Sequence, residues 1–307
     1  MPRRQDWIPN NFVTMLNLTH DLRIPLLSSR SRTKLEAMRH RLMTDPDSRY
    51  IPDEGFLWPE MMSINLGSLS LSSEADVAAA TAHLKSLNLN ELLRGIREKS
   101  LRRDFPDLMK SATGQLTDAD ELIRISVTGL QQPCDIRSED KLLTTVLDPD
   151  GVLVDFLKTI ERSFFEAGWL RRTSSEAKIF NSMKLVSTRR LCTPMRKTKP
   201  SVVKQLPERR AIYKILRLNV EDLFAKYQEH VWASDIALER LSIFKLGFHD
   251  FKRGAVLVGQ GNQEVASVPL PGAPDIDLRA ERKGLTYEKT GKDGFFIPGA
   301  TYDVTKR

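Results

Sequence analysis

The chain has 307 residues, 40% hydrophobic and 28% charged, with 47 Lys and Arg against 40 Asp and Glu for a formal net charge of +7. That is enough apolar material for one large or two modest domains with a real core, which sets it among globular proteins. No stretch approaches the roughly 18–20 apolar residues of a membrane span, and Met1-Pro-Arg-Arg-Gln-Asp-Trp7 has nothing of a secretory signal. A place inside the cell and no membrane partner are therefore expected. Cys134 and Cys192 cannot by themselves make a disulfide framework or a structural zinc site; no metal or other cofactor is expected of the chain.

Residues 1–17 read as an N-terminal extension. The first strand is expected over 18–27 (LTHDLRIPLL), closed by the serine-rich turn Ser28-Ser-Arg-Ser31. A helix follows over 33–43, where Leu35, Met38 and Leu42 recur at helical spacing. The alternating run 62–71 (MSINLGSLSL) predicts a strand whose parity slips at Gly67-Ser68, as a bulge would make it. Ser73 with Glu74 and Asp76 predicts a capped helix start, and the helix is expected to continue toward Leu93. The charged stretch 97–120 reads as an insertion with little core.

Strands are expected again at 122–130 and 141–147, then a turn at Asp148-Pro-Asp-Gly151. Leu153, Phe156, Leu157, Ile160 and Phe164 mark one face of a helix over 152–167 that stops at Gly168. A strand over 177–186, a helix over 220–230 and strands over 236–246 and 255–258 complete the pattern. Residues 261–307, rich in Gly, Pro and charge, read as a mostly disordered tail. Strands and helices in two comparable halves make an α+β protein, its sheets covered by helices.

Charge is uneven. Between residues 189 and 217 stand Arg189, Arg190, Arg196, Lys197, Lys199, Lys204, Arg209, Arg210, Lys214 and Arg217 against one acid, Glu208. Such a segment suits a polyanion, because cations that neutralise phosphates release condensed counterions. With Pro194, Pro200 and Pro207 in it, the segment equally fits a solvated connection.

The order of LTHDLRIPL (18–26), MSINLGSLSL (62–71), LKSLNL (84–89), VTGL (127–130), FFEAG (164–168) and AKIFNSMKL (177–185) resembles fungal members of the 2H phosphoesterases. The branch it resembles, with a 2′,5′ RNA ligase-like fold, holds the A-kinase-anchor-protein nuclear-localisation domain and the first subunit of the activating signal cointegrator complex. The resemblance covers residues 18–260 and implies two lobes of antiparallel sheet flanked by helices around a central cleft. It also implies two His-x-Thr/Ser tripeptides on two strands, one imidazole taking a proton and the other giving one across a phosphodiester.

Here the first tripeptide falls on Ser63-Ile-Asn65 and the second on Phe180-Asn-Ser182, so only Ser182 matches a functional position. None of the five histidines, His20, His40, His83, His230 and His249, begins a His-x-Ser/Thr tripeptide. An acid or base contributes about 10² to 10⁴ in rate, so loss of both leaves little of that hydrolysis unless His20 or His249 substitutes. The expected site is a binding site: Ser63, Asn65, Phe180, Ser182, Lys184, Arg189 and Arg190, taking RNA or a nucleotide, with Phe180 as a stacking surface. Two alternatives stand beside it. One is an active phosphodiesterase on 2′,3′-cyclic or 2′,5′-linked nucleotides, and the other a non-catalytic subunit of a nuclear transcription or repair complex. The nucleus, the cytoplasm or both are the expected location.

Overall fold

Leu22 and Ile24 alternate with Asp21 and Arg23, and this period of two gives β1 (His20–Pro25) its one apolar face. The computed structural model describes residues 18–49, 51, 55–104, 122–131, 141–149, 151–170, 182–187, 222–253, 256–274 and 285–289. After β1 the serines build their own turn: Ser31 Oγ donates to the Leu26 carbonyl at 2.6 Å and accepts the Ser28 N–H at 2.8 Å. Helix α1 (Arg32–Thr44) then buries Leu35, Met38 and Leu42, the face its spacing predicts.

Strand β2 (Ser63–Leu69) pairs antiparallel with β1, and Leu22 faces Gly67 while Arg23 faces Asn65. Leu66 is therefore the extra residue of a bulge, which is the expected slip in parity. Gly67, at φ 154°, supplies the unusual backbone there. Helix α2 (Glu74–Ser86) begins with a full capping box between Ser73 and Asp76. It ends earlier than expected: the chain breaks at Leu87-Asn88 and restarts as α3 (Leu89–Asp104), whose start Asn88 caps by accepting the Glu91 N–H at 3.2 Å. The first residues of the expected insertion are thus the end of α3, while 105–120 lie outside the described residues.

Strands β3 (Arg124–Gln131) and β4 (Lys141–Leu147) follow, then α4 (Leu153–Glu166), whose buried Leu153, Phe156, Leu157, Ile160 and Phe164 are the face read from the letters. Burying each of these side chains contributes about 1.5–3 kcal/mol. His83 of α2 meets α4 twice, through Ser163 Oγ at 3.1 Å and edge-on to the Phe164 ring at 5.0 Å. Next come β5 (Ser182–Ser187), a short helix at residues 222–227, β6 (Val231–Ala237), β7 (Arg240–Arg253), β8 (Val256–Pro269) and β9 (Leu285–Lys289).

Two expectations are corrected here. The single strand expected over 236–246 is two, divided at Leu238-Glu239, where the Leu238 N–H leaves for the Ile123 carbonyl at 2.9 Å. The tail expected to be mostly disordered from residue 261 contains sheet. Gly261–Pro269 finishes β8, and β9 takes up the second half of β7 beyond the reach of β1. Glycine-rich, weakly apolar composition hid these strands, because their pairing is supplied by β7. Residues 275–284 and 290–307 of that segment, residues 1–17, both cysteines and the basic stretch 189–217 lie outside the described residues.

Among the described residues all pairings are antiparallel, giving two sheets, β2-β1-β7-β8 with β9 beside β7, and β5-β4-β3-β6. This is the expected α+β architecture. One continuous core joins them, with Leu22, Ile24 and Ile64 from the first sheet and Ile125, Val127 and Val146 from the second. Among the described residues no helix is long and apolar enough to cross a membrane.

A polar staple ties the end of α1 to residues 222–227. The buried Asp45 carboxylate accepts from Tyr227 Oη, pairs with Lys226 Nζ at 2.8 Å, and accepts the Asp47 N–H at 2.9 Å. Burial opposes its ionisation, but the donors from Lys226, Tyr227 and Asp47 outweigh it and hold its pKa below the ordinary carboxylate value. The unfolded carboxylate therefore takes its proton first as pH falls, and the staple's contribution, complete near neutrality, disappears below about pH 4. Asp45→Asn is expected to lower the unfolding free energy by about 1–3 kcal/mol at pH 7. Urea titrations of both proteins down to pH 3 should show that gap closing; a gap independent of pH would contradict the role given to the charge.

Candidate functional site

The face of the first sheet opposite the core carries polar residues in three rows, set by the strand register. Ser63 stands opposite Pro25, and Arg240 opposite Pro269. One step along, Asn65, Arg23, Ser242 and Ser267 form a row across β2, β1, β7 and β8. Ser68, Asp21, Phe244 and Glu264 form the third. Each is the alternate partner of a core residue, and the irregularities in β2 and β8 carry Ser68 and Glu264 onto the same surface as Ser63, Asn65 and Ser267.

Asp21, Arg240 and Ser242 are buried and Arg23, Ser68 and Glu264 half-buried, and most of them are tied to one another. Arg23 grips Asp21 Oδ2 through Nη2 and through Nε at 3.0 Å, while Ser68 Oγ donates to the other oxygen, Oδ1, at 2.6 Å. With its amide oxygen turned toward Arg23, Asn262 accepts from Nη1 and Nη2 at 2.9 Å and donates to the Gly247 carbonyl. The Arg23 guanidinium also lies 5.8 Å from the centre of the Phe244 ring. Across β7, Ser242 Oγ donates to Glu264 Oε1 at 3.0 Å, and Arg240 Nε comes to 3.6 Å from the same oxygen.

Of the residues singled out from the sequence, Ser63 and Asn65 lie on this face. Ser63 Oγ makes only a long contact, 3.4 Å, to the Met61 carbonyl. Asn65 is exposed, and the bulge orients it: its Oδ1 accepts the Gly67 N–H at 2.9 Å, which turns the amide N–H₂ outward as a donor. Ser182 and Lys184 are backbone positions on β5, opposite Thr145 and Leu143 of β4. Phe180, Arg189 and Arg190 lie outside the described residues.

The two strands that carry the tripeptide positions are brought together. β2, an edge of the first sheet, adjoins β5, an edge of the second. The Leu57 N–H donates to the Leu185 carbonyl at 2.9 Å, and beyond β2 the Ser70 N–H donates to the Trp169 carbonyl at 3.2 Å. The two histidines named as substitutes lie elsewhere. His20 shares the parity of Leu22 and Ile24, on the other side of β1 from Arg23, with its Nδ1 2.8 Å from Thr19 Oγ1. Burial first, then the Lys245 charge, lowers its pKa against the opposing pull of Asp21. His249 stands further along β7, opposite Gly261 and Lys289.

The three rows therefore contain hydroxyls, amides, two guanidinium groups and two carboxylates, and no imidazole. They can hold a ligand by hydrogen bonds and charge, and they lack a residue whose ordinary pKa suits proton transfer near neutrality. Sequence reasoning passed over Asp21, Arg23, Arg240, Asn262 and Glu264. The alternation of Asp21 and Arg23 with Leu22 and Ile24 was the available signal.

No family model matches the chain. No curated protein matches it. Solved structures similar to it include a crystal structure of a phosphoesterase at 12% sequence identity and a TM-score of 0.38, over 83% of this chain and 98% of that one.

Proposed function

We propose that this protein is a phosphoesterase-like binding protein that holds RNA or a nucleotide without two-histidine hydrolysis. One observation carries the reading. Ser63 and Asn65, the positions that match the first tripeptide, share a polar face with the half-buried Arg23, on a strand in contact with the strand of Ser182. In this reading Asn65 Nδ2 donates to a phosphate oxygen, Ser63 Oγ adds a second hydrogen bond, and Arg23, fixed by Asp21 and Asn262, supplies positive charge behind them. Lys184, Arg189 and Arg190 would add positive charge, and Phe180 would offer a stacking surface.

Titration with single-stranded RNA and with 2′,3′-cyclic nucleotides at low salt tests this. Binding should weaken steeply with added salt and fall at least about tenfold in Asn65→Asp, which sets a carboxylate against the phosphate, and in Lys184→Ala/Arg189→Ala. Turnover of the cyclic nucleotides should not exceed that of a Ser182→Ala control. The reading fails if nothing binds at low salt, if the substitutions leave binding unchanged, or if turnover is clear.

A further inference from the structure

Three rings close the junction between residues 222–227 and β6. The half-buried His230 imidazole stands edge-on to Trp232, 4.6 Å between ring centres, and 5.3 Å from Tyr227. Tyr227 and Trp232, both buried, lie 4.5 Å apart. The backbone ties the same residues: the His230 N–H donates to the Tyr227 carbonyl at 3.3 Å, and the His230 carbonyl accepts the Gly129 N–H of β3 at 2.7 Å. This clasp fastens the start of β6, an edge strand of its sheet, to β3.

Charge around the clasp is unbalanced. Lys226 pairs with Asp45 at 2.8 Å and with Asp47 at 3.5 Å, so both carboxylates from the turn after α1 are engaged. Arg41 of α1 lies 5.9 Å from the centre of the Tyr227 ring and Lys226 5.5 Å, which puts two cations beside that ring already. Glu229, the chain neighbour of His230, is exposed, and Gly129 and Trp232 bring no charge.

We propose that His230 is a proton-operated catch: neutral, it keeps the start of β6 closed on β3 and Tyr227, and protonated, it lets that junction open while Asp45 still holds Tyr227. An imidazolium here would be a further cation beside Arg41, in a place where water screens it poorly and the carboxylates are taken. Burial first, then the Arg41 charge, lowers the pKa of His230 below the ordinary imidazole value. As pH falls through about 6.5 the imidazole of the opened junction therefore takes its proton before that of the closed one, and the closed form loses stability. The Asp45 staple lets go only below about pH 4, so the His230 end opens first. Opening frees the Gly129 N–H and also Trp232 Nε1, which donates to the Gly129 carbonyl at 2.8 Å.

Hydrogen exchange of the full chain, each rate normalised to the intrinsic rate at that pH, tests this from about pH 7.5 to about pH 5. The Gly129 and His230 amides should be less protected than that of Leu22 in β1, because they open locally, and their protection should fall at least about threefold over that range. His230→Gln, which cannot take the proton, should abolish the fall. Arg41→Gln removes an exposed charge, so it leaves the fold intact; it should raise the His230 titration midpoint, read from the imidazole C–H resonance, and shrink the fall. Constant protection in the parent protein, exchange only together with Leu22, or a fall that persists in His230→Gln would each overturn the proposal. Should His230→Gln not fold, Arg41→Gln decides: a midpoint that it leaves in place overturns the catch.

Discussion

Asp21→Ala is expected to destabilise the protein by about 3–5 kcal/mol, because it strands Arg23 without its carboxylate inside the sheet face. The side chain of Asp21 is 5% exposed and that of Arg23 14%, so water cannot replace the lost partner. Both Asp21 oxygens are engaged, and the substitution also orphans Ser68 Oγ. Denaturant unfolding of Asp21→Ala against the parent protein measures this. The double variant Asp21→Ala/Arg23→Met removes the stranded charge together with its partner, and most of the lost stability should return. Its failure to recover would mean that Arg23 contributes more through Asn262 and Phe244 than through the ion pair.

The second large effect belongs to Gly129→Ala. Gly129 lies in β3 at φ +64°, and its amide donates to the His230 carbonyl at 2.7 Å while its own carbonyl accepts from Trp232 Nε1 at 2.8 Å. A Cβ at this position would come within 2.6 Å of the Gln228 carbonyl oxygen, a backbone atom that cannot swing away. The left-handed backbone costs an alanine about 1–2 kcal/mol, and forcing the contact adds about 1–3 kcal/mol. The hinge between residues 222–227 and β6, where Tyr227, His230 and Trp232 pack ring against ring, should loosen first. Loss of near-ultraviolet circular dichroism from those rings, with a lowered unfolding midpoint, is the expected result. Parent-like stability would show that the turn at Gln228 yields easily.

Local chemistry made part of this fold legible. Phe156, Ile160 and Phe164 recur at the helical period and Gly168 follows them, so α4 could be read nearly to the residue. Ser73 and Asp76 stated the start of α2 because a capping box is written in four adjacent letters. The break at Leu87-Asn88 was missed because Leu87 and Leu89 both look like continuing core. The strands after residue 260 were missed for a different reason: β9 exists where β7 outruns β1, and no local pattern reports the length of a distant partner.

The candidate site divides in the same way. Ser63 and Asn65 could be placed on one strand face from alternation alone. Arg240 and Glu264 could not, since bringing them beside Arg23 depends on β7 pairing with β1 across most of the chain. Nor does an arginine in an alternating strand announce whether its outward face meets solvent or becomes buried.

That pairing also dictates an order of assembly. β1 is an interior strand whose two neighbours are made at very different times, β2 soon after α1 and β7 only when the chain has run from Arg23 to Ser242. During synthesis the β1–β2 pair must wait with one side of β1 unpaired, a long-range closure of the kind that slows folding. A waiting strand invites association with other chains, and charges along it are the common protection. Asp21 and Arg23 therefore serve the nascent chain as solvated guards before they serve the folded one as a buried pair.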